Sequence, residues 1–467
     1  MARRLYYTVV LAIFFFFVAV AFVPSWCRLA TRSRQREPYT TMPATTAHLR
    51  HTRTATTLTG VSATMPTKTT ASTLSYGYLA KDFSIVLTWV NGSDTNYMKH
   101  REIDCVKFHT AERGYQRGMC DSHWRLARVR TMGEIVYNLR SIEKHLPWFQ
   151  GTIFLVMDDW AQPPSFFDFD ETTKLAKNFG KEFAASPGPT LRLMRHSEFI
   201  PKALLPTYSA YAIIPHLHRI PGITELFAHF EDDLIVGRPL PPEELVARPP
   251  SLSPRLAFER NTITKSWCKS KKKKGIWLAS MCFTVDAFLY LHPNLVSSRQ
   301  YYIKHAPMVY NKTVLGHIVD DTSVAPPGMA LSLRQKFRSA PTIQTDSVYA
   351  WHMMAGGGAT AKYAAIGHND DMRLLMLNDR TGIKKLASEL ARFRNPKKVP
   401  SYLTINDDGW TLCEIGRQTL QMLDEVLPEP SRWEWRQERD MAGVLMRDMN
   451  KHHQCRRRGE KPWKNLT

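Results

Sequence analysis

The stretch Phe83–Asp94, FSIVLTWVNGSD, decides the fold class of this 467-residue chain. An apolar run over residues 83–87 is typical of a buried β-strand, and Asn91, Gly92 and Asp94 follow it closely. Open parallel sheets bind their ligands beyond the carboxyl ends of the strands. Polar groups at this point therefore predict that the strand ends at the floor of a binding site.

Three further runs have the same character. The runs GTIFLVMDD (151–159) and ELFAHFEDDLIVG (225–237) are apolar and carry acids at or near their ends, and LRLMRH (191–196) is another candidate strand. MGEIVYNLRSIEKHL (132–146) has apolar residues at helical spacing and stops before Pro147. This alternation predicts an α/β fold with a mostly parallel, Rossmann-like sheet and helices on both faces.

Other segments give coarser predictions. TYSAYAIIPHLHRI (207–220) indicates a helix that is interrupted near Pro215, and we expect residues 371–393 to be helical. The Pro-rich segment 237–254 and the lysine-rich segment 268–277 are predicted to be loops or insertions.

The N-terminus predicts attachment to a membrane. Residues 5–23 are uncharged and mostly apolar after the opening MARR, which is about the ~20 residues of one bilayer span. We expect residues 1–30 to form a cytosolic tail and a transmembrane signal anchor. A cleaved signal peptide is the alternative, because Ala19-Val20-Ala21 has the small-x-small form of a cleavage site.

The segment after the span is rich in Thr and Ser and contains few large apolar residues. Such a composition does not bury enough surface to offset its chain entropy, so we predict a disordered stem over residues 31–80. The rest of the chain divides into a catalytic domain over 81–420 and a charged C-terminal extension over 421–467.

Charge and cysteines bear on partners and compartment. The net charge of +21 indicates anionic partners. The sequons at Asn91, Asn311 and Asn465 indicate a lumenal domain, and Asn91 is expected to be unmodified because it lies in the site motif. Cys105/Cys120 and Cys268/Cys282 are close enough in sequence to form disulfides in an oxidising compartment, with buried free thiols as the alternative.

The acids at the strand ends suggest metal chemistry. Asp232 and Asp233 are adjacent carboxylates after a strand, and such a pair suits Mg²⁺ or Mn²⁺ bridging a diphosphate, because the substrate's phosphate oxygens complete the coordination shell. A single acid at a strand end is more often a turn former or a helix cap. Acids follow three of the predicted strands, at Asp94, at Asp158 and Asp159, and at 231–233. Three such groups at the edge of one sheet favour a binding site.

Four blocks of the chain resemble the Stealth family of hexose-1-phosphate transferases. The blocks are TWVNGSD (88–94), LRSIEKHLPWF (139–149) with LPTYSAYAIIPHLHRIPGITELFAHFEDD (205–233), HAP (305–307) and INDD (405–408). This family includes bacterial capsule polymerases and the α/β subunit of N-acetylglucosamine-1-phosphotransferase. The resemblance implies transfer of a sugar 1-phosphate from a nucleotide-diphosphate sugar to an acceptor hydroxyl, with release of the nucleoside monophosphate.

The same resemblance assigns roles to residues that match its motifs. It implies a catalytic role for Asp94, His305 and Arg334, and metal binding by Asp232, Asp233 and Asp407. It implies a donor-binding role for residues of the first, second and fourth blocks: Trp89, Asn91, Gly92, Glu134, Arg140 and Asn406.

Elementary chemistry supports these assignments. The acceptor hydroxyl must lose its proton, and His305 is the preferred general base because the unperturbed pKa of histidine is ~6.5. Asp94 is the alternative base, or the residue that orients His305 or the acceptor. Arg334 can stabilise the negative charge on the transferred phosphoryl group through two parallel N–H bonds.

The chain departs from the family pattern at three positions. Glu231 stands where the family usually has Asn, Ser209-Ala210 stands where it has Asn-Ser, and Ile214 lies near the position of an acid. These differences leave the donor base and sugar open, with GDP-mannose and UDP-N-acetylglucosamine as the first candidates.

The leading hypothesis is a single-pass type II protein of the Golgi membrane, with a lumenal catalytic domain that acts on a glycan or phosphoglycan. One alternative is an ordinary metal-dependent glycosyltransferase that releases a nucleoside diphosphate. Another is a non-catalytic, basic glycan-binding protein. Nucleic-acid binding is not expected, because the lysine run KSKKKK (269–274) has no interleaved aromatic residues.

Overall fold

The computed structural model divides the chain into two compact units, Met1–Thr67 and Lys68–Thr467. The structure describes only part of the second unit, namely residues 77–113, 129, 131–179, 188–270, 276–295, 298–339, 341–356, 360–362, 371–377, 383–407, 413–435 and 441–445. The predicted signal anchor and nearly all of the predicted stem lie outside these ranges. Within them, no helix has the length and apolar character needed to cross a bilayer.

The described strands follow one another along the chain as β1 (Phe83–Thr88), β2 (Thr152–Met157), β3 (Thr190–Arg195), β4 (Leu226–Glu231), β5 (Leu234–Val236), β6 (Arg255–Ile263), β7 (Gln300–Ile303), β8 (Met308–Asn311), β9 (Thr360–Lys362), β10 (Met372–Leu377) and β11 (Tyr402–Asp407).

The described α-helices are α1 (Gly77–Lys81), α2 (Thr95–Arg113), α3 (Glu134–His145), α4 (Ala210–Ile213), α5 (Lys265–Ser270), α6 (Ile276–Leu291), α7 (Lys312–Asp320), α8 (Met329–Leu333), α9 (Thr345–Ala355), α10 (Ile383–Phe393) and α11 (Cys413–Val426).

The central sheet has the order β3-β2-β1-β4-β8. Strands β1 to β4 are parallel, and β8 is antiparallel to β4 at the edge. The four strands predicted from apolar runs all belong to this sheet, so the prediction of a mostly parallel α/β sheet is confirmed.

Alternating side chains place the strands between two hydrophobic layers. In β1, Ile85 and Leu87 pack into one core cluster and Val86 into the other, because successive side chains of a strand point to opposite faces. Helix α3 contributes to the first cluster and helices α6 and α9 to the second. Helices therefore cover both faces of the sheet, as predicted.

The strand order changes direction beside β1. The chain runs from β1 to β2 and β3 on one side, and then returns to place β4 on the other side of β1. The carboxyl ends of β1 and β4 therefore flank a topological switch point, where open α/β sheets form their binding crevice. TWVNGSD leaves β1 at this point, and Glu231–Asp233 end β4 there.

Two smaller sheets extend the fold, with the orders β10-β11-β5 and β7-β6-β9. The prediction that residues 371–393 are helical is correct for α10 and wrong for 372–377. That segment is β10, because it pairs in parallel with β11 and buries Leu375 and Leu377. A pairing with a strand so distant in sequence is not visible in local periodicity.

The two predicted helices are confirmed. Helix α3 begins after Gly133, whose φ is 88°, a left-handed conformation that glycine adopts without strain. It ends at His145, before Pro147. The interruption near Pro215 takes the form of a change from α4 to a 3₁₀ turn over Ile214–Arg219.

The segment that follows residue 421 contributes to the core. Leu427, Trp433 and Leu445 belong to the same hydrophobic cluster as helix α3. The part of the predicted C-terminal extension that the structure describes thus packs into the same core as helix α3.

One predicted disulfide is present. Cys268 and Cys282 are bonded and join α5 to α6. Cys105 is also disulfide-bonded, but Cys120 lies outside the described residues, so the pairing of these two stays a prediction.

Candidate functional site

A cavity of about 530 Å³ lies at the carboxyl ends of β1, β2 and β4. Its walls come from the turn after β1, the acids after β4, the short helix α4 and the segments that carry His305 and Arg338. Six of the twelve residues assigned from the sequence line it: Trp89, Glu134, Asp232, Asp233, His305 and Asn406.

Four carboxylates crowd the β4 side of the cavity, namely Glu134, Glu231, Asp232 and Asp233. Enclosure raises the pKa of Asp232 and of Asp233 well above the ordinary value, and repulsion from Glu134 and Glu231 adds to the rise. Asp233 Oδ1 is buried and has no hydrogen-bond partner among the described residues. Buried acceptors are normally satisfied, so this oxygen indicates the place of a donor or a cation.

Glu134 has two structural roles, one in the turn before α3 and one at the cavity. Its side chain is buried at the start of α3, where Oε2 accepts hydrogen bonds from the backbone N–H of Met132 (2.8 Å) and the hydroxyl of Thr131 (3.1 Å). It also lines the cavity. Glu134 therefore fixes the turn that enters α3 and adds negative charge beside Asp232.

His305 and Glu231 form a pair on the cavity wall. His305 Nδ1 lies 3.4 Å from Glu231 Oε2, and this hydrogen bond raises the pKa of His305 against the opposing effect of burial. The side chains are 41% and 50% exposed, respectively, so solvent moderates their attraction. With Nδ1 directed to the carboxylate, Nε2 is the nitrogen left for substrate.

The arginine of the cavity is Arg338. Its guanidinium stacks 4.3 Å from the ring centre of Tyr211 and donates a hydrogen bond to the Tyr211 hydroxyl. The residue assigned from the sequence, Arg334, follows α8, is exposed and does not line the cavity. The two arginines are four residues apart, and the chain turns between them.

Asp94 does not line the cavity. Its Oδ1 accepts the backbone N–H groups of Asn96 (2.8 Å) and Tyr97 (3.2 Å) at the start of α2, and its Oδ2 accepts the N–H of Gln162 (2.5 Å). Asp94 thus caps α2 and ties the loop after β2 to the turn after β1. Its catalytic role stays a prediction.

Asn91 and Gly92 of TWVNGSD also organise the turn. Asn91 Oδ1 accepts hydrogen bonds from the backbone N–H and the hydroxyl of Ser93. A Cβ added to Gly92 would lie 2.3 Å from the carbonyl oxygen of Val129, so only glycine fits without a shift. Neither residue lines the cavity, whereas Trp89 and Val90 of the same turn do.

Arg140 lies inside the core. Its Nε and Nη2 donate to the two carboxylate oxygens of Glu434 at 2.9 and 2.7 Å, and Nη1 donates to the carbonyl of Leu427. Arg140 does not line the cavity, so the structure places it in a contact between α3 and the C-terminal segment.

The fourth block lies at the end of β11. Asn406 lines the cavity beside Ile405, and Thr404 donates its hydroxyl to the carbonyl oxygen of His305 (3.2 Å). Asp407 is the last residue of β11, and its side chain lies outside what the structure describes. Strand β11 thus supports the loop that carries His305.

The cavity contains residues to which the sequence analysis gave no role: Asp158, His196, Tyr97, Tyr208, Trp277 and Arg338. A sequence signal existed for Asp158, which is an acid at a strand end. No local signal distinguishes Arg338 from the other arginines of this basic chain, because its position depends on the path of the loop after α8.

No group of three His, Cys, Asp or Glu side chains within the described ranges has the arrangement of a metal site. Magnesium in enzymes is commonly held by one or two carboxylates, with waters and substrate phosphates as the other ligands. Asp232 and Asp233, with one unsatisfied carboxylate oxygen, fit that pattern.

These features define an α/β protein with an acidic cavity at the switch point of a mostly parallel sheet. Residues 128–250 match the family model for Stealth protein CR2, conserved region 2. This range holds helix α3, Asp158 and the acids after β4.

Relatives with established names agree with that match. The Capsular polysaccharide phosphotransferase LcbA of Neisseria meningitidis is 31% identical over 33% of this chain and 35% of its own length. The Exopolysaccharide phosphotransferase CpsY of Mycobacterium leprae (strain TN) is 24% identical over 76% of this chain and 57% of its own. The Exopolysaccharide phosphotransferase SCO2594 of Streptomyces coelicolor is 29% identical over 75% and 51%.

The resemblance to the Stealth family is confirmed by both findings. The names of the relatives support a phosphotransferase as the class of enzyme. The chain spans about a third to just over half of the length of these curated relatives.

Proposed function

We propose that this protein transfers a hexose 1-phosphate from a nucleotide-diphosphate sugar to a glycan hydroxyl and releases the nucleoside monophosphate. The observation that carries the proposal is the cavity at the β1/β4 switch point. The adjacent acids Asp232 and Asp233 and the pair of His305 with Glu231 line this one cavity. The phosphotransferase names of the relatives support the same reaction class.

A divalent metal fits the acids after β4. Mg²⁺ or Mn²⁺ held by Asp232 and Asp233 would neutralise their repulsion and polarise the donor diphosphate. The raised pKa of both carboxyls and the unsatisfied Asp233 Oδ1 support this assignment.

The residues of the chain have defined tasks in the transfer. His305 Nε2 accepts the proton of the acceptor hydroxyl, whose oxygen forms a bond to the β-phosphorus of the donor. The bond between that phosphorus and the bridging oxygen to the α-phosphorus breaks, and the nucleoside monophosphate leaves with the bridging oxygen. Arg338 supplies positive charge near the transferred group.

Glu231 holds His305 for this step. A carboxylate at Nδ1 fixes the tautomer of the ring and stabilises the imidazolium that forms. The Glu at a position where the family usually has Asn thus has a physical explanation: it adds a carboxylate partner for the histidine.

An ordinary glycosyltransferase is the alternative, because the acids after β4 suit any donor diphosphate. In that reaction the acceptor attacks the anomeric carbon, and a nucleoside diphosphate leaves. The donor and acceptor are proposed only as classes, with GDP-mannose and UDP-N-acetylglucosamine as the first donors to test.

We also propose a lumenal Golgi location with a single N-terminal span. The disulfide Cys268–Cys282 and the disulfide-bonded Cys105 and Cys413 support an oxidising compartment. Protease protection of the epitope-tagged full-length protein in sealed Golgi vesicles tests this topology: a C-terminal tag on the lumenal side is protected until detergent is added.

The activity is tested with purified full-length protein, Mg²⁺ or Mn²⁺, a panel of nucleotide sugars and mixed glycan acceptors. Nucleoside monophosphate that accumulates with one donor, requires the acceptor and disappears in His305→Ala supports the proposal. Arg334→Ala is the matched control for Arg338→Ala, because the two arginines are close in sequence but only Arg338 lines the cavity. Accumulation of nucleoside diphosphate instead would establish the glycosyltransferase.

A further inference from the structure

Asp158 and His196 line the part of the cavity at the carboxyl ends of β2 and β3. The proposed transfer gives neither residue a role. Asp158 follows β2 and His196 follows β3, and both line the cavity. Their exposed fractions are only 6% and 5%. Ionisable groups this well buried are costly unless a partner compensates them.

Several hydrogen bonds hold the loop that carries Asp158. Arg195 Nη1 donates to the carbonyl oxygens of Asp158 (2.7 Å) and Ala161 (2.5 Å). The backbone N–H of Trp160 donates to Asp158 Oδ1 (2.8 Å). These contacts fix the carboxylate and leave Oδ2 as the oxygen directed to His196.

His196 does not complete this arrangement. Its Nδ1 lies 3.7 Å from Asp158 Oδ2, which is too long for a hydrogen bond. Nδ1 is buried and has no hydrogen-bond partner among the described residues. Because burial lowers the pKa of His196 to about 4, the ring is neutral at pH 7 and can donate or accept according to its tautomer.

Aromatic side chains line the same part of the cavity. Burial, and to a smaller extent the charge of Asp158, raises the pKa of both Tyr97 and Tyr208. Their ring centres lie 5.9 Å apart. A carboxylate and an unsatisfied imidazole beside aromatic surface suit a ligand that has adjacent hydroxyls and a flat ring.

The sheet order separates this group from the acids of β4. Strands β2 and β3 lie on one side of β1, and β4 lies on the other. A donor whose diphosphate is held at Asp232 and Asp233 can therefore extend its nucleoside across the end of β1 toward Asp158. In the dinucleotide sites of Rossmann sheets, an acid binds a ribose hydroxyl in this way.

We propose that Asp158 and His196 bind the ribose hydroxyls of the donor nucleotide, so that this end of the cavity is the nucleoside subsite. The proposal rests on the proposed function, since it assumes a nucleotide donor. It assigns the hexose and the acceptor to the part of the cavity near His305.

The test compares ribose with deoxyribose. Calorimetry with the full-length protein and Mg²⁺ would measure the affinities of UDP and GDP, and of their 2′,3′-dideoxy counterparts. For the nucleotide that binds, we expect the ribose form to bind roughly tenfold to a hundredfold more tightly, the range of a hydrogen bond to a charged group. Asp158→Asn should reduce this ratio to below about threefold, and the matched control Asp159→Asn should keep it, because Asp159 lies outside the cavity.

A second variant guards against misfolding. His196→Gln should also reduce the ratio, and the melting temperature of each variant shows whether it is folded. If a folded Asp158→Asn protein retains the full ratio, or if the wild-type protein binds both sugars equally, the ribose proposal is wrong while the nucleotide donor stands. If no nucleotide binds to the wild-type protein, the donor assumption itself fails, and both proposals are overturned.

Discussion

At the scale of single residues, the chemistry of His305 depends on its neighbour Glu231. The hydrogen bond between them raises the pKa of His305 above its ordinary 6.5. The proposed general base must be deprotonated to act, so a larger fraction of His305 would be inactive at neutral pH than in an unperturbed site. In return, the deprotonated ring is a stronger base.

This pair predicts a specific pH profile. The value of kcat/KM should rise with pH through the raised pKa of His305, so that its midpoint lies above 6.5. In Glu231→Gln the cause of the shift is lost, and the midpoint should move to lower pH while the plateau falls. Measurement of kcat/KM from pH 5 to 9 tests this. The same midpoint in both proteins would contradict a role for Glu231 in setting the basicity of His305.

Asp158 makes a prediction about stability. Burial raises its pKa from 3.8 to about 6, so the folded protein binds this proton more tightly than the unfolded chain does. Stability is therefore lost as the pH rises from about 4 to about 6. Asp158→Asn removes this cost and should increase the free energy of unfolding at pH 7 by on the order of 1–3 kcal/mol.

Denaturant titrations at pH 7 and pH 4 check this expectation. The gain should be full at pH 7 and small at pH 4, where the carboxyl is protonated in the folded state and about half protonated in the unfolded state. An equal effect at both pH values would show that the charge of Asp158 is not its cause. A buried acid that reduces stability at neutral pH is what a binding role would explain.

At the scale of elements, the turn after β1 connects the sheet to helix α2. Asp94 satisfies two N–H groups at the start of that helix and one in the loop after β2. The loop also carries Asp158, so we expect a change at Asp94 to alter the cavity through this loop.

Two substitutions separate capping from catalysis. Asp94→Ala should cost about 1 kcal/mol in stability, as the loss of an N-cap does. Asp94→Asn keeps the cap, since Asn is an equally good N-cap residue, and should retain kcat within about tenfold. A general base contributes about 10²–10⁴ in rate. A loss of that size in a folded Asp94→Asn protein would show that the carboxylate itself takes part in the reaction.

The helices and strands also show which parts of the fold could be predicted from the sequence. The strands of the central sheet and helix α3 were predictable because apolar periodicity is local and each run has clear ends. Strand β10 was not, because it exists through its pairing with β11 about thirty residues away. The site follows the same rule: Asp232, Asp233 and Trp89 lie at strand ends and were found, whereas Arg338 depends on a loop path.

Several residues that were assigned to the site from the sequence do not line the cavity, and one physical reason explains them. Asp94, Gly92 and Arg140 match motifs, but motifs contain residues that shape a site as well as residues that touch substrate. Gly92 permits the close approach of the Val129 backbone, and Arg140 donates hydrogen bonds to Glu434 and Leu427 inside the core. Sequence order alone does not separate these two kinds of residue.

At the scale of the whole molecule, one buried ion pair joins distant parts of the chain. Arg140 in α3 and Glu434 near the C-terminus are 294 residues apart and form two hydrogen bonds with almost no exposure to solvent. The helix that carries Glu134 into the cavity is therefore supported by the last described segments of the protein.

Breaking this pair should weaken the whole fold. Glu434→Ala leaves the buried Arg140 charge beside the carboxylate of Asp424, at 3.7 Å, and should cost about 3 kcal/mol in the free energy of unfolding, the low end of the range for breaking a buried pair. The matched control is Lys177→Ala, which removes an exposed ion pair with Asp168 and should leave the free energy of unfolding nearly unchanged, because solvent screens such a pair. Chemical denaturation measures both. Equal, small effects would mean that the C-terminal segment is not part of the cooperative unit.

The central claim is that the bond to phosphorus, and not the bond to the anomeric carbon, is the one made. The most direct measurement uses the preferred nucleotide sugar with ³²P at the β-phosphorus, the full-length protein, a divalent metal and the glycan acceptor. Phosphoryl transfer predicts that the label appears in the glycan product and that the released monophosphate is unlabelled. Label that stays in a released nucleoside diphosphate would contradict the account and identify the protein as a glycosyltransferase.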